Sequence, residues 1–336
     1  MAPWLELLAC PACQGGELSV EWTCRDCGAR FEAPEGIPNL RLHADHSAET
    51  LRRFYERAPF PGYPPRDSLS SLRARAERSA FARLLDRAIP GDATVIDVGC
   101  GTGQMCLYLA RADRAVVGAD LTRASLALGA AAARRFGIGD DRVRFVETDL
   151  RRPGLKSGAF DVVYSSGVLH HTSNPRASFA CLARLARPGG VIVLGVYNTF
   201  ARLPLRLRRL AARLTGFRLI AGDSVLRSRV AEPARRDAWL RDQYRHPEEH
   251  SHTLAEVQRW FDENGVGYLR SYPSALLGED TGELFDPATD NWRPEGWLAQ
   301  LGWIRTLGHE GGLFVTVGRR GVSSTPPRPR TPRRFP

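Results

Sequence analysis

The chain has 336 residues, 43% of them apolar, and carries a formal net charge of +10 at pH 7. That length suits one large α/β domain plus a small module, and the apolar fraction allows a sizeable core. The charge does not by itself mark a nucleic-acid binder: Lys156 is the only lysine, so the excess is arginine, which with alanine-rich helices is what GC-rich coding produces.

No apolar run approaches membrane-spanning length, and the start Met1-Ala2-Pro3-Trp4 lacks the basic residues of a secretory leader, so the expected location is the cytoplasm. In a reducing compartment, seven cysteines point to metal ligands or buried thiols rather than disulfides. Four of them form two knuckles, Cys10-Pro11-Ala12-Cys13 and Cys24-Arg25-Asp26-Cys27-Gly28, on either side of a short strand-like run from Leu18 to Trp22. Two such knuckles flanking a hairpin direct four thiolates at one point, the geometry of a structural zinc ribbon over residues 1–42. So small a module has little core of its own, and the metal would supply much of its folding energy.

Residues 43–89 read as a linker with helices. A helical segment from Ser47 to Arg57 runs into Ala58-Pro59-Phe60-Pro61-Gly62-Tyr63-Pro64-Pro65, where the prolines stop the helix and leave an aromatic loop. A single helix is expected over Ser71 to Ala88. Strands then alternate with helices: Thr94–Val98, a helix Gln104–Arg111, Ala115–Ala119, a helix Arg123–Phe136, Val143–Glu147, Phe160–Ser165, a helix Arg176–Ala186 and Val191–Tyr197. That alternation predicts a parallel, doubly wound sheet within a domain spanning 90–320.

The regularity breaks at Asn198. An insertion over 199–249 carries twelve arginines against six acids, with Leu203, Leu207, Leu210 and Leu214 on one helical stripe. The favoured expectation packs that stripe on the core with the arginines in solvent. The alternative rests residues 202–218 on a membrane surface. A capping pattern, Thr253 to Glu256, opens a helix through Glu263. Gly267–Tyr272 and Leu313–Gly318 read as the last strands, separated by a Trp-rich insertion over 277–308 with Trp292, Trp297 and Trp303. The Pro/Arg-rich tail, 321–336, is expected to be disordered.

The most informative stretch is Val95-Ile96-Asp97-Val98-Gly99-Cys100-Gly101-Thr102-Gly103. A strand ends here in a turn too tight for side chains, leaving bare backbone against which a nucleotide-like ligand can lie. A dinucleotide fingerprint needs a third glycine where Gln104 stands. Asp-x-Gly-x-Gly-x-Gly followed by a helix is instead the pattern of S-adenosylmethionine sites. Asp120-Leu121 closes the second strand and Thr148-Asp149-Leu150 the third, so acids fall at three consecutive strand ends.

With Phe160-Asp161-Val162-Val163-Tyr164 and Pro188-Gly189-Gly190, residues 90–200 resemble the class I S-adenosylmethionine-dependent methyltransferases, in particular the ubiquinone/menaquinone-methyltransferase-like subfamily. The resemblance implies a Rossmann-like seven-stranded sheet. It assigns Asp97, Gly99, Gly101, Gly103, Asp120, Leu121, Asp149, Leu150 and Ser166 to the cofactor, with Asp120 on the ribose hydroxyls, Asp149 on the adenine amine and Leu150 against its ring. The cysteine segment, ending Gly36-Ile37-Pro38-Asn39-Leu40, resembles the zinc ribbon fused to or partnered with many such enzymes. Phe54-Tyr55-Glu56 with Pro59-Phe60-Pro61 resembles a lid element of the family.

Methyl transfer asks for in-line positioning, exclusion of water and removal of a proton. Candidate bases are His170 and His171, after the fourth strand, and His252, ahead of the helix that follows the insertion; loop fixing is the competing role for His170. Three functions follow. The first is a methyltransferase for a small or medium organic acceptor, lipid-like or quinone-like, enclosed by the lid and the two insertions. The second is an RNA methyltransferase, disfavoured because the ribbon has three arginines against six acids and because Ser165-Ser166-Gly167-Val168 replaces the Asn/Asp-Pro-Pro-aromatic loop of base-amine methylation. The third is a non-catalytic cofactor- or partner-binding protein. The oligomeric state is left open.

Overall fold

The computed structural model describes residues 3–42, 67–111, 113–214, 249–275, 283–287, 293–307 and 311–321, with isolated residues of 49–64 and 223–244. Seven strands make one sheet: β1 Thr94–Val98, β2 Ala115–Asp120, β3 Val143–Glu147, β4 Phe160–Ser166, β5 Ala186–Tyr197, β6 Val266–Tyr272 and β7 Leu313–Arg320. Their order is β3-β2-β1-β4-β5-β7-β6, parallel except where β7 inserts antiparallel between β5 and β6. The order reverses between β1 and β4, the switch point at which doubly wound sheets open a crevice. β1 reads as an unbroken apolar run around Asp97 because both sheet faces are covered by helices.

The helices are α1 Leu69–Ala76, α2 Ala80–Ala88, α3 Gln104–Leu109, α4 Arg123–Arg135, α5 Pro175–Leu185, α6 Leu203–Leu214, α7 Leu254–Glu263 and α8 Arg293–Thr306. The single helix expected over 71–88 is in fact α1 and α2. Ser79 accepts a hydrogen bond from the Ala82 N–H and so starts a new helix after the break. Thr253 caps α7 by accepting from the Glu256 N–H. Among the described residues no helix is long and apolar enough to cross a membrane.

The cysteine segment is bonded to the sheet. Asn39 forms a parallel bridge with Glu147, the Leu40 N–H donates to Glu147 O and the Glu147 N–H to Pro38 O, so residues 38–40 extend the sheet beyond β3. The Glu147 carboxylate, almost fully buried, receives Arg41 and Arg123, each at 2.8 Å. Leu5, Leu8, Cys10, Leu18 and Leu40 share one apolar cluster with Ile96, Val146 and Ile192 of the sheet.

The leucine stripe contradicts the favoured expectation. Leu203, Leu207, Leu210 and Leu214 point outward, while Leu205 and Ala212 are the buried residues of α6. Arg202, wholly buried, and Arg209 lie on the inner side. Most of 215–248, together with Phe54, Phe60, Pro61, Trp292 and the tail from 322, lies outside the described residues.

Candidate functional site

The carboxyl ends of β1 to β5 surround a cavity of about 420 Å³. Backbone of Val98 to Gly101 forms its floor, and Asp120, Leu121, Asp149, Leu150, Ser166, His171 and Tyr197 line its walls. Gly99 has φ +77°, where a side chain is strained, and a Cβ there would lie 2.2 Å from Val168 Cγ2. That turn is therefore pinned by the loop after β4 as well as open to a ligand. Gly103, also left-handed, faces Phe145, with which a Cβ would collide at 2.5 Å, and does not reach the cavity.

Asp120 closes the turn from the neighbouring strand. Its Oδ2 accepts from the Gly101 N–H at 2.9 Å and its Oδ1 from the Thr122 N–H at 2.8 Å and the Thr122 hydroxyl. Burial raises its pKa, with those donors acting against the shift. The Leu121 N–H also points at this carboxylate, so a ribose hydroxyl at the cavity would share it with those donors. Asp149 sits two residues beyond β3. Its carboxylate accepts from the Arg151 backbone N–H at 2.9 Å and from the guanidinium at 3.1 and 2.6 Å. An adenine amine would have to share it with Arg151. Asp97, by contrast, is buried beneath the turn and is absent from the cavity lining. Burial pushes it up to about 7, although the Cys106 thiol donates to it at 3.4 Å.

The three histidines part company. Leu169–His171 is one turn of 3-10 helix that turns successive side chains to different sides. His170 is fully buried, its ring 3.7 Å from that of Tyr197, and it is not in the cavity wall. His171 does line the cavity. His252 borders a separate cavity of about 400 Å³ with His250, Glu256 and Trp260, its Nδ1 3.0 Å from Glu256. Burial lowers its pKa despite that carboxylate.

Tyr55, from the lid-like element named in the sequence, lines the cavity. Several other participants escaped the sequence reading. Arg52, from the same linker, also lines the cavity. The Tyr63 hydroxyl donates to Thr102 O at 2.6 Å, and the Gln104 side chain donates to Gly62 O at 3.1 Å, so the linker is latched onto the glycine turn. Tyr197, at the end of β5, is backed by the Arg202 guanidinium 3.7 Å over its ring and by Gln243 donating to its hydroxyl at 2.8 Å. The aromatic content of 54–65 was the signal for the linker; nothing local announced Arg202 or Gln243.

At the other end, the Cys10, Cys13, Cys24 and Cys27 sulfurs all lie within 4.8 Å of one another, with Cys10–Cys27 and Cys13–Cys24 both at 3.7 Å. Zinc–sulfur bonds of about 2.3 Å give tetrahedral sulfur–sulfur edges of about 3.8 Å. Backbone N–H groups of Ala12 and Cys13 point at the Cys10 sulfur, those of Asp26 and Cys27 at Cys24, and that of Ala29 at Cys27. Gly16 leaves room for the sulfurs: a Cβ there would lie 2.5 Å from Cys24 Sγ and 2.8 Å from Cys13 Sγ.

Residues 96–194 match the family model described as a methyltransferase domain. An uncharacterized protein of Synechococcus is 28% identical over 267 residues, covering 70% of this chain and 64% of its own length. The demethylmenaquinone methyltransferase of Clavibacter sepedonicus is 35% identical over 105 residues, 31% of this chain and 41% of its own. Among solved structures, the magnesium protoporphyrin IX methyltransferase of Synechocystis aligns with a TM-score of 0.47 at 17% identity, over 82% of this chain and all of that one. The chain thus spans 64% and 41% of the length of these two relatives.

Proposed function

We propose that this protein transfers a methyl group from S-adenosylmethionine to a small or medium organic acceptor of lipid-like or quinone-like character. The observation that carries the reading is the meeting of three strand ends at one cavity. Bare backbone from β1, the Asp120 carboxylate of β2 and the Asp149–Leu150 corner after β3 stand side by side. The lining fits the cofactor: Asp120 stands in the cavity wall where ribose hydroxyls would share its carboxylate, and Leu150 offers an apolar wall for a flat ring. When bound, the cofactor supplies an activated sulfonium methyl. The chain's own work is then to bind, orient and exclude water.

The linker latched by Tyr63 and Gln104 covers the glycine turn, and Tyr55 walls the cavity. His171 is the base candidate with a place at the cavity; His170 acts by packing Tyr197, and His252 belongs to the neighbouring cavity. The quinone-like acceptor is supported by the name of the Clavibacter relative. Residues 1–42 are proposed as a zinc ribbon, on the strength of four sulfurs within 4.8 Å of one another, two pairs of them at 3.7 Å.

Calorimetry with S-adenosylmethionine tests the reading. Hydrogen bonds to a charged group contribute about 1.5–3 kcal/mol, so Asp120→Ala should weaken binding by about 10–150-fold. Absence of binding by the unaltered protein, or an Asp120→Ala variant that binds equally well, refutes it. A labelled-methyl assay on cell extract split into lipid, metabolite, protein and RNA fractions then identifies the acceptor class.

A further inference from the structure

Helix α6 is amphipathic in the reverse of the usual sense. Its inner face presents Leu205, Arg209 and Ala212, and Arg202, the residue just before it, continues that row at a spacing of three and four residues. Both inner arginines converge on Glu249: Arg202 Nη2 contacts Oε2, and Arg209 reaches the two oxygens at 3.0 and 2.6 Å. Arg202 also donates to Gly311 O at 2.7 Å and to Gln243. With Arg202 and Arg209 fixed inside, the helix turns its leucines to the outside: Leu203, Leu207, Leu210 and Leu214 are 41, 67, 60 and 84% exposed. Single exposed leucines are ordinary, but an unbroken stripe of four needs an explanation.

The stripe continues onto α8. Phe200, just before α6, meets Trp297 edge-on at 5.2 Å, and Trp297 and Leu301 are themselves exposed. Arg206 and Arg213, both exposed, flank the leucines. From Asn198 to Gly222 the sequence contains six arginines and no acid.

We propose that the outward face of α6, with Trp297 and Leu301 of α8, docks on a bilayer surface bearing anionic headgroups. A convex stripe of leucines flanked by cations, with an indole at its edge, is the chemistry that lies at a headgroup–acyl boundary. Charge disfavours a second copy of this chain. Pairing the face with itself would bring Arg206 and Arg213 of one copy toward those of the other, a like-charge juxtaposition that opposes association. The helix is also joined to the candidate active cavity, because Arg202 supports Tyr197, which lines it. Resting on the proposed methyltransferase activity, this places an acceptor held in the bilayer beside the cavity that would take it; the docking itself does not depend on that activity.

The test is flotation of the full chain with phosphatidylglycerol/phosphatidylcholine vesicles and with phosphatidylcholine alone, at low and high salt. The expected result is at least tenfold stronger association with the anionic vesicles, weakened by salt, and at least tenfold loss in Leu207→Ser/Leu210→Ser. Arg206→Gln/Arg213→Gln should lose mainly the anionic preference. Circular dichroism and S-adenosylmethionine calorimetry on the same variants show that the fold and the cavity are intact, so failure of docking and failure of the methyltransferase reading are told apart. Absence of vesicle association overturns the proposal. So does a stable dimer of the unaltered protein that Leu207→Ser/Leu210→Ser converts to monomer, since the stripe would then be a self-association face.

Discussion

Glu249 holds the arrangement that turns α6 outward, and its removal has a calculable consequence. Its side chain is 9% exposed and that of Arg202 is not exposed at all, so this is a buried pair, whereas Arg209 at 19% can swing toward water. Removing one partner of a buried pair costs about 3–5 kcal/mol, largely through the charge left behind. Arg202 keeps its hydrogen bonds to Gly311 and Gln243 in Glu249→Ala, which sets the expectation at the low end, about 3 kcal/mol. Against a typical stability of about 5–15 kcal/mol the variant still folds, and urea denaturation followed by tryptophan fluorescence reads the loss. Adding Arg202→Met removes the stranded charge and should recover most of it, a coupling that a double-mutant cycle measures. The pair also carries a pH signature. Burial alone would raise Glu249, but the two arginines prevail and hold it below the usual glutamate range. A depressed carboxylate contributes stability that is complete above its unfolded pKa, near 4.3, and lost as pH falls through the folded value. The unaltered protein should therefore lose this contribution only below about pH 4.5, with the acid arm flatter in Glu249→Ala. A loss below about 1 kcal/mol, or no recovery with Arg202→Met, refutes the account.

Other expectations follow from the same contacts. Gly16→Ala places a methyl 2.5 Å from Cys24 Sγ and should drop bound zinc well below one equivalent by metal analysis, while Gly15→Ala, with nothing within 4 Å, keeps it. Chelation should lower both thermal stability and cofactor affinity, the latter by about tenfold or more, because Leu7, Leu8 and Ala9 bond to Lys156, Leu155 and Gly154 beside the cavity; calorimetry before and after chelator reads it, and unchanged affinity would separate ribbon from cavity. Asp97 is raised to about 7 by burial, so its folded form prefers the proton and its contribution to stability grows as pH falls from 7 toward 4. Asp97→Asn should abolish that rise relative to the unaltered protein; parallel stability curves for the two would contradict it.

The sheet and the cavity floor were legible because their signals are local. Val95 to Gly103 encodes a strand and a turn that only glycine tolerates, and Asp120 and Asp149 each mark the end of a short apolar strand. The orientation of α6 was not legible. Leucines at 203, 207, 210 and 214 share one face whether that face meets core or solvent; the choice is made by Glu249, some forty residues on, closing over Arg202 and Arg209. The histidines show the same limit. His170 and His171 are indistinguishable as neighbours in sequence, and a single 3-10 turn sends one against Tyr197 and the other to the cavity. Asp97 reads as a ligand of the turn from its spacing, but the strand's alternation carries it underneath, beside Cys106.

The cysteine segment raises a question that spacing alone poses wrongly. Two knuckles and a hairpin suggest an autonomous module tethered by a linker, yet the contacts describe something else. Pro38 and Leu40 occupy the hydrogen-bonding edge of β3, and Arg41 adds a second cation to Arg123 on the buried carboxylate of Glu147. Arg123 in turn donates to Pro34 O and Ile37 O, tying the first turn of α4 to the segment. A Cβ at Gly154 would meet Leu40 at 2.4 Å, so the loop that walls the cavity is shaped to receive this segment. An open sheet edge is a site for unwanted pairing, and covering it is one way a fold manages that hazard. The four sulfurs are thereby coupled to the strand edge and loop on which Asp149 and Leu150 stand, and a metal held by them would deliver its binding energy to the wall of the candidate active site as well as to residues 1–42.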